Sequence, residues 1–190
     1  MKKIVLSLHT TVDGFLAGPN GEMDWIKLDE ELFDVVGSFT KEADTALYGR
    51  VTYEMMESYW PTAADKPNAS KHDREHSSWY RKVKKVVLSK TMKDEQNGNT
   101  RVIGDNVATE IGRLKQSEGG SILMFGSATA AHSLMEHKLI DEYWLFVNPI
   151  LLGKGIPVFS DIKEKVNLEL IETISLKCGV IALHYRVAAR

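Results

Sequence analysis

Short runs of apolar residues alternate along the chain with longer stretches whose apolar positions recur every three or four residues. Ile4 to Leu8 is apolar almost throughout and predicts a strand covered on both faces of a sheet. Gly18-Pro19-Asn20-Gly21 predicts a turn, and Glu30 to Ala43 a helix with Leu32, Val35, Val36 and Phe39 along one side. Thr45 to Gly49 reads as a second strand that runs directly into a helix over Val51 to Ser58. The polar segment Pro61 to Ser78 reads as a surface excursion ending in a short helix near Trp79 and Tyr80. Strands follow at Lys85 to Ser89 and Arg101 to Ile103, then a helix over Asn106 to Gln116 with Val107, Ile111 and Leu114 at helical spacing. Ile122 to Phe125 predicts a strand, Ala128 to Glu136 a helix and Tyr143 to Val147 another strand. Leu168, Leu170, Ile174 and Leu176 against Val180 to Val187 predict a hairpin around Lys177-Cys178-Gly179. Strand–helix alternation closed by a hairpin predicts one α/β domain over residues 1–190, its sheet mostly parallel with an antiparallel end.

Composition narrows the function classes. A chain of 190 residues, 43% hydrophobic and 26% charged, suits one well-filled core and excludes disorder. A net charge of −2 gives no electrostatic reason to expect nucleic acid. The single cysteine, Cys178, offers neither an internal disulfide nor a thiolate metal site, and no metal centre is expected. Met1-Lys2-Lys3 before Ile4-Val5-Leu6 is signal-like, but Ser7, His9 and Asp13 interrupt the apolar stretch. With no window near the ~20 apolar residues that span a bilayer, a cytoplasmic protein is expected.

Three strand ends deliver small or hydroxyl residues to the start of a helix or turn. Leu47-Tyr48-Gly49-Arg50-Val51-Thr52 combines a glycine, a helix start and a fixed cation; Phe125-Gly126-Ser127-Ala128-Thr129 repeats strand, glycine, hydroxyl, helix. Val87-Leu88-Ser89-Lys90-Thr91 places a lysine between two hydroxyls. Helix N-termini attract anions, and open α/β sheets bind ligands at strand C-termini. Two such corners suit a pyrophosphate and the third a further phosphate, which is the charge pattern of NADP. Each has a plainer structural reading, Ser127 as a helix cap and Lys90 as a solvated cation; their recurrence at strand ends favours the nucleotide. No Walker sequence or GxGxxG is present, and Gly153-Lys154-Gly155 reads as a turn. His72-Asp73-Arg74-Glu75-His76 matches the HxxEH letters of inverted zinc peptidases, yet Lys66 to Ser78 has almost no apolar residue to anchor a rigid helix. His9 reads as a core or rim histidine.

These segments resemble a family. Thr11 to Ala17 is similar to the N-terminal SxDGxIA signature of the dihydrofolate reductase-like superfamily, and Leu47 to Glu54 to its GRxTxE cofactor segment. Lys85 to Thr91 is similar to that superfamily's adenosine-phosphate strand end, while Phe125-Gly126-Ser127, Leu139 to Glu142 and Pro149 to Gly155 resemble the reductase domain of bifunctional riboflavin-biosynthesis enzymes, here standing alone. The resemblance implies a three-layer fold, helices on both faces of a mixed sheet of about eight strands, with NADPH bound and a homodimer. It places Gly49, Arg50 and Thr52 on the pyrophosphate and adenosine phosphates, and Ser89, Lys90 and Thr91 on the 2′-phosphate. Gly126, Ser127, Ala128 and Thr129 would cradle the pyrophosphate from the second helix, with Asp13, Leu16 and Ala17 beside the nicotinamide. Glu30 is the choice for proton delivery among Asp29, Glu30 and Glu31, and Trp25 would wall the substrate pocket. The implied activity is reduction of a C=N or C=O bond in a small pterin- or pyrimidine-like or sugar-derived substrate. The rival reading is a regulatory NADP-binding protein without turnover.

Overall fold

The computed structural model describes residues 1–93, 98–160 and 162–189. Strand β1 (Ile4–Thr11) sends Ile4, Leu6 and Leu8 to one face and Val5 to the other, and both faces are buried. It is central because β6 (Ser121–Phe125) and β7 (Glu142–Asn148) flank it, both parallel, with Ile4 opposite Ile122 and Val5 opposite Glu142. The same parallel pairing continues outward through β3 (Ala43–Gly49), β4 (Lys84–Leu88) and β5 (Thr100–Ile103). On the other side β10 (Ile181–Val187) pairs antiparallel with β7, and β9 (Leu168–Ser175) antiparallel with β10. Among the described residues this gives an eight-stranded sheet, β5-β4-β3-β6-β1-β7-β10-β9. A separate small ribbon joins β2 (Phe15–Ala17) to β8 (Ile156–Pro157). The mixed sheet and its terminal hairpin are as expected. β1, however, runs three residues past Leu8, because the polar residues His9, Thr10 and Thr11 are held in register by Phe146, Val147 and Asn148.

Helices cover both faces. Helix α1 (Glu30–Glu42) starts at Asp29, whose carboxylate accepts the Leu32 amide hydrogen at 2.8 Å, and buries Leu32, Val36 and Phe39 against Val5, Trp144 and Phe146. On the opposite face α4 (Val107–Gln116) and α5 (Ala128–Glu136) bury Ile111, Ala130, Ala131 and Leu134 against Ile4, Leu6, Leu47 and Ile122. Each fully buried leucine here contributes about 2 kcal/mol. Among the described residues no helix is long and apolar enough to cross a membrane.

The segment read as a surface excursion is more ordered than that. Helix α2 (Arg50–Ala63) continues through Pro61, and α3 (Lys71–Lys82) begins nine residues before Tyr80, near which only a short helix is expected. Ser70 and Asp73 form a capping box: the Ser70 hydroxyl accepts the Asp73 amide hydrogen and the Asp73 carboxylate accepts that of Ser70. The anchor is aromatic rather than aliphatic. His72 stacks on Phe33 with ring centroids 3.9 Å apart, His76 lies 4.0 Å from the Trp60 ring, and Tyr80 is buried beside Tyr48 and Tyr53. Among the described residues no group of three or more His, Cys, Asp or Glu side chains converges as a metal set would.

Candidate active site

Because β4, β3, β6 and β1 are parallel neighbours, Leu88, Gly49, Phe125 and Thr11 all end on one edge of the sheet. That edge includes the point where the chain reverses its direction of winding, since β6 inserts between β3 and β1. Two of the three corners touch. The Gly49 amide donates to Ser127 Oγ at 2.8 Å, and a Cβ on Gly49 would sit 2.3 Å from that oxygen, so a side chain there would displace the Ser127 hydroxyl from its present position. Gly126 and Ser127 both adopt left-handed backbone, with φ of 49° and 66°, and open space stands where a Gly126 side chain would be. The starts of α2 and α5 carry no side-chain cap, unlike α1 and α3, so their first-turn N–H groups are free to meet an anion.

The third corner lies one strand further out. Ser89 Oγ accepts the amide hydrogens of Thr91 and Met92 at 3.2 and 3.0 Å, which folds Lys90 over into an exposed bend. Beside the Gly126–Ser127 corner opens a cleft of about 290 Å³, with Leu16, Leu32, Phe33, Val36, Met55 and Trp60 on its walls. Ser7, Thr52 and Ser127 supply hydroxyls, and His9, His72 and His76 imidazoles. Burial lowers the pKa of all three histidines, to about 4 for His9 and about 3 for His76, so they are neutral at physiological pH. A larger cavity, about 890 Å³, is lined by α5, by Tyr143 and Leu168 at the starts of β7 and β9, and by Phe159, Ile162 and Val166.

The expected cofactor residues divide accordingly. Leu16, Thr52, Gly126 and Ser127 line the cleft, and Gly49 backs it through Ser127. Ala17 is buried, pairing in the small ribbon with Ile156. Arg50 is exposed and grips its own helix, donating from Nη1 to both Glu54 carboxylate oxygens at 2.8 and 2.9 Å. Ala128 packs against the core, and Thr129 lines the larger cavity instead of the cleft. The expected catalytic residues are not brought together. Glu30 is exposed and lines a separate groove with Asp34 and Lys71, because the first turn of α1 aims Leu32 and Phe33 inward in its place. Trp25 donates from Nε1 to the Glu22 carbonyl within its own loop, so it does not wall the cleft. Asp13 is a clamp: its carboxylate accepts from the Thr11 hydroxyl at 2.6 Å and from the Leu152 and Gly153 amides at 3.1 and 2.7 Å. Those bonds, the Thr11 hydroxyl foremost, hold its pKa below the usual carboxylate range.

Comparison with known proteins agrees with this architecture. A family model described as the RibD C-terminal domain matches residues 2–182. The uncharacterized protein YyaP of Bacillus subtilis (strain 168) is 33% identical over 186 residues, which cover 97% of this chain and 94% of YyaP. Among solved structures, the fold is similar to the diaminohydroxyphosphoribosylaminopyrimidine deaminase/5-amino-6-(5-phosphoribosylamino)uracil reductase of Thermotoga maritima, with TM-score 0.67 at 16% identity. That match covers 98% of this chain and 57% of the bifunctional one. Dihydrofolate reductase from Enterococcus faecalis, complexed with NADP(H), is similar with TM-score 0.63 at 16% identity, covering 98% of this chain and 97% of that one. The fold is dihydrofolate reductase-like.

Proposed function

Because the chain belongs to the RibD C-terminal domain family, we propose that it is an NADPH-dependent reductase of a C=N or C=O bond in a small heterocyclic or sugar-derived substrate. The observation that carries this reading is the contact between the Gly49 and Ser127 corners, beside an apolar cleft at the sheet's C-terminal edge. The residues fit such a cofactor: bare Gly126 backbone admits close approach, and the uncapped starts of α2 and α5 offer N–H groups to a pyrophosphate. When bound, NADPH supplies the hydride. Exposed Lys90 adds positive charge at that edge, Arg50 would do so on leaving Glu54, and Thr52 and Ser127 add hydroxyl donors. The Asp13 clamp ties residues 152–153 to the end of β1 and so holds the Leu16 segment against the cleft. The assembly proposed is a homodimer, and the surface that fits it is β9, an edge strand with Leu170 57% and Ile171 45% exposed.

Fluorescence titration with NADPH and NADH tests the cofactor half. Lys90→Ala should weaken NADPH by ~1–3 kcal/mol, the scale of a charge-assisted contact, and NADH by less, because NADH lacks the 2′-phosphate. Equal losses for both cofactors would contradict the assignment. Tight NADPH binding with no oxidation across pterins, pyrimidines and flavins would favour the regulatory rival.

A further inference from the structure

Among the described residues, no Asp, Glu, Lys or Arg lines the 290 Å³ cleft. Its polar equipment is three hydroxyls and three imidazoles, and one imidazole is held in a defined state. Asn148 is fully buried, and its Oδ1 accepts the Lys27 amide hydrogen at 2.9 Å. That bond fixes which end of the amide is NH2. Nδ2 donates to the Phe146 carbonyl at 3.0 Å and turns towards His9 Nδ1 at 3.3 Å. Nδ1 of His9 therefore accepts, and the hydrogen of the neutral ring resides on Nε2. The ring lies over Phe146, centroids 5.2 Å apart, and no residue among those described takes up the Nε2 hydrogen.

We propose that the cleft takes an uncharged, flat, unphosphorylated substrate, and that His9 Nε2–H donates a hydrogen bond to the carbonyl or imine of that substrate. The inference rests on the reductase reading only in taking this cleft as the substrate's half of the site. A phosphate or carboxylate entering here would leave water for apolar walls without meeting a cation. The Thermotoga maritima enzyme is named for a phosphoribosyl substrate; no cationic side chain lines this cleft to pair with such a group, and the N–H groups at its Gly126–Ser127 corner are those assigned above to the cofactor's pyrophosphate. A neutral imidazole, its pKa held down by burial, polarises an acceptor without giving up its proton. His9 needs no reorientation to do so, because Asn148 and Phe146 already hold the ring.

The test uses three probes on the purified full chain, by calorimetry, with and without NADPH: coumarin (neutral, one carbonyl), naphthalene (no acceptor) and coumarin-3-carboxylate (anionic). Coumarin should bind, with its carbonyl stretch moved to lower frequency in difference infrared spectra, and coumarin-3-carboxylate should bind roughly tenfold more weakly or not at all. His9→Phe should abolish the infrared shift and weaken coumarin roughly three- to tenfold, leaving naphthalene unchanged. His9→Gln, which keeps a side-chain N–H, should recover part of the shift; with the wild-type probe series it decides the matter if His9→Phe does not fold. No coumarin binding, equal or tighter binding of the carboxylate, or a shift that persists in His9→Phe overturns the proposal. If the probes behave as expected but NADPH does not bind, the reductase reading falls and the cleft assignment stands. If NADPH binds and the probe pattern is absent, only the cleft assignment falls.

Discussion

Two histidines, His76 buried and His9 half-buried, make the protein's stability depend on pH. His9 and His76 take up a proton near 6.5 when unfolded, but only near 4 and 3 when folded. Their contribution is complete above the unfolded value and is lost as pH falls from about 6.5 towards 4 for His9 and towards 3 for His76, since only the unfolded chain binds the proton in that window. Roughly 2 kcal/mol per histidine should be gone by pH 5. Urea unfolding between about pH 8 and pH 5 should show the midpoint falling on the acid side, and His76→Phe should flatten that slope. A midpoint that rises on acidification would contradict the burial of these rings as neutral groups. Single residues were also where the sequence was least legible. Asp13 stood in a family signature and suggested chemistry, whereas its bonds go to Leu152 and Gly153, some 140 residues along the chain. No local pattern announces a bond of that span. Gly49, Gly126 and Ser127 were legible because a strand–glycine–hydroxyl–helix run has few other uses.

Helix α3 shows what hydrophobic periodicity overlooks at the level of elements. Counted by letters, Lys71 to Lys82 is polar; counted by contacts, His72 and His76 serve as aromatic core residues one turn apart, on Phe33 and Trp60. The same spacing produced the HxxEH letters, and Glu75 faces the grooves on the outer side of α3 instead of the cleft. The element does carry a readable start, Ser70 with Asp73 three residues on. Ser70→Ala removes one half of that box and should lower stability by about 1 kcal/mol, read from urea denaturation. A neutral result would mean that aromatic packing alone fixes where α3 begins. Strands β3, β4, β6 and β7 were found closely because buried parallel strands write themselves as short apolar runs.

For the whole molecule, the alternation of elements gave the sheet and its hairpin but not the order of strands, which depends on which runs pair rather than on any run alone. The order leaves β9 at one edge, seven of its eight residues exposed. If β9 is the dimer surface, Ile171→Lys should convert a dimer into a monomer by size-exclusion chromatography with light scattering, without changing NADPH affinity. A wild-type monomer at high concentration would remove the proposal. The order also has a consequence for biosynthesis. β6 is the wedge that separates β1 from β3, and it is made only at residues 121–125. A nascent chain on the ribosome thus carries its first 120 residues with the middle of its sheet missing, and the β1 and β3 edges lie bare until translation delivers the strand that joins them. Gly49 gains its partner hydroxyl at the same moment, so the two touching corners are born together, late, and never as halves.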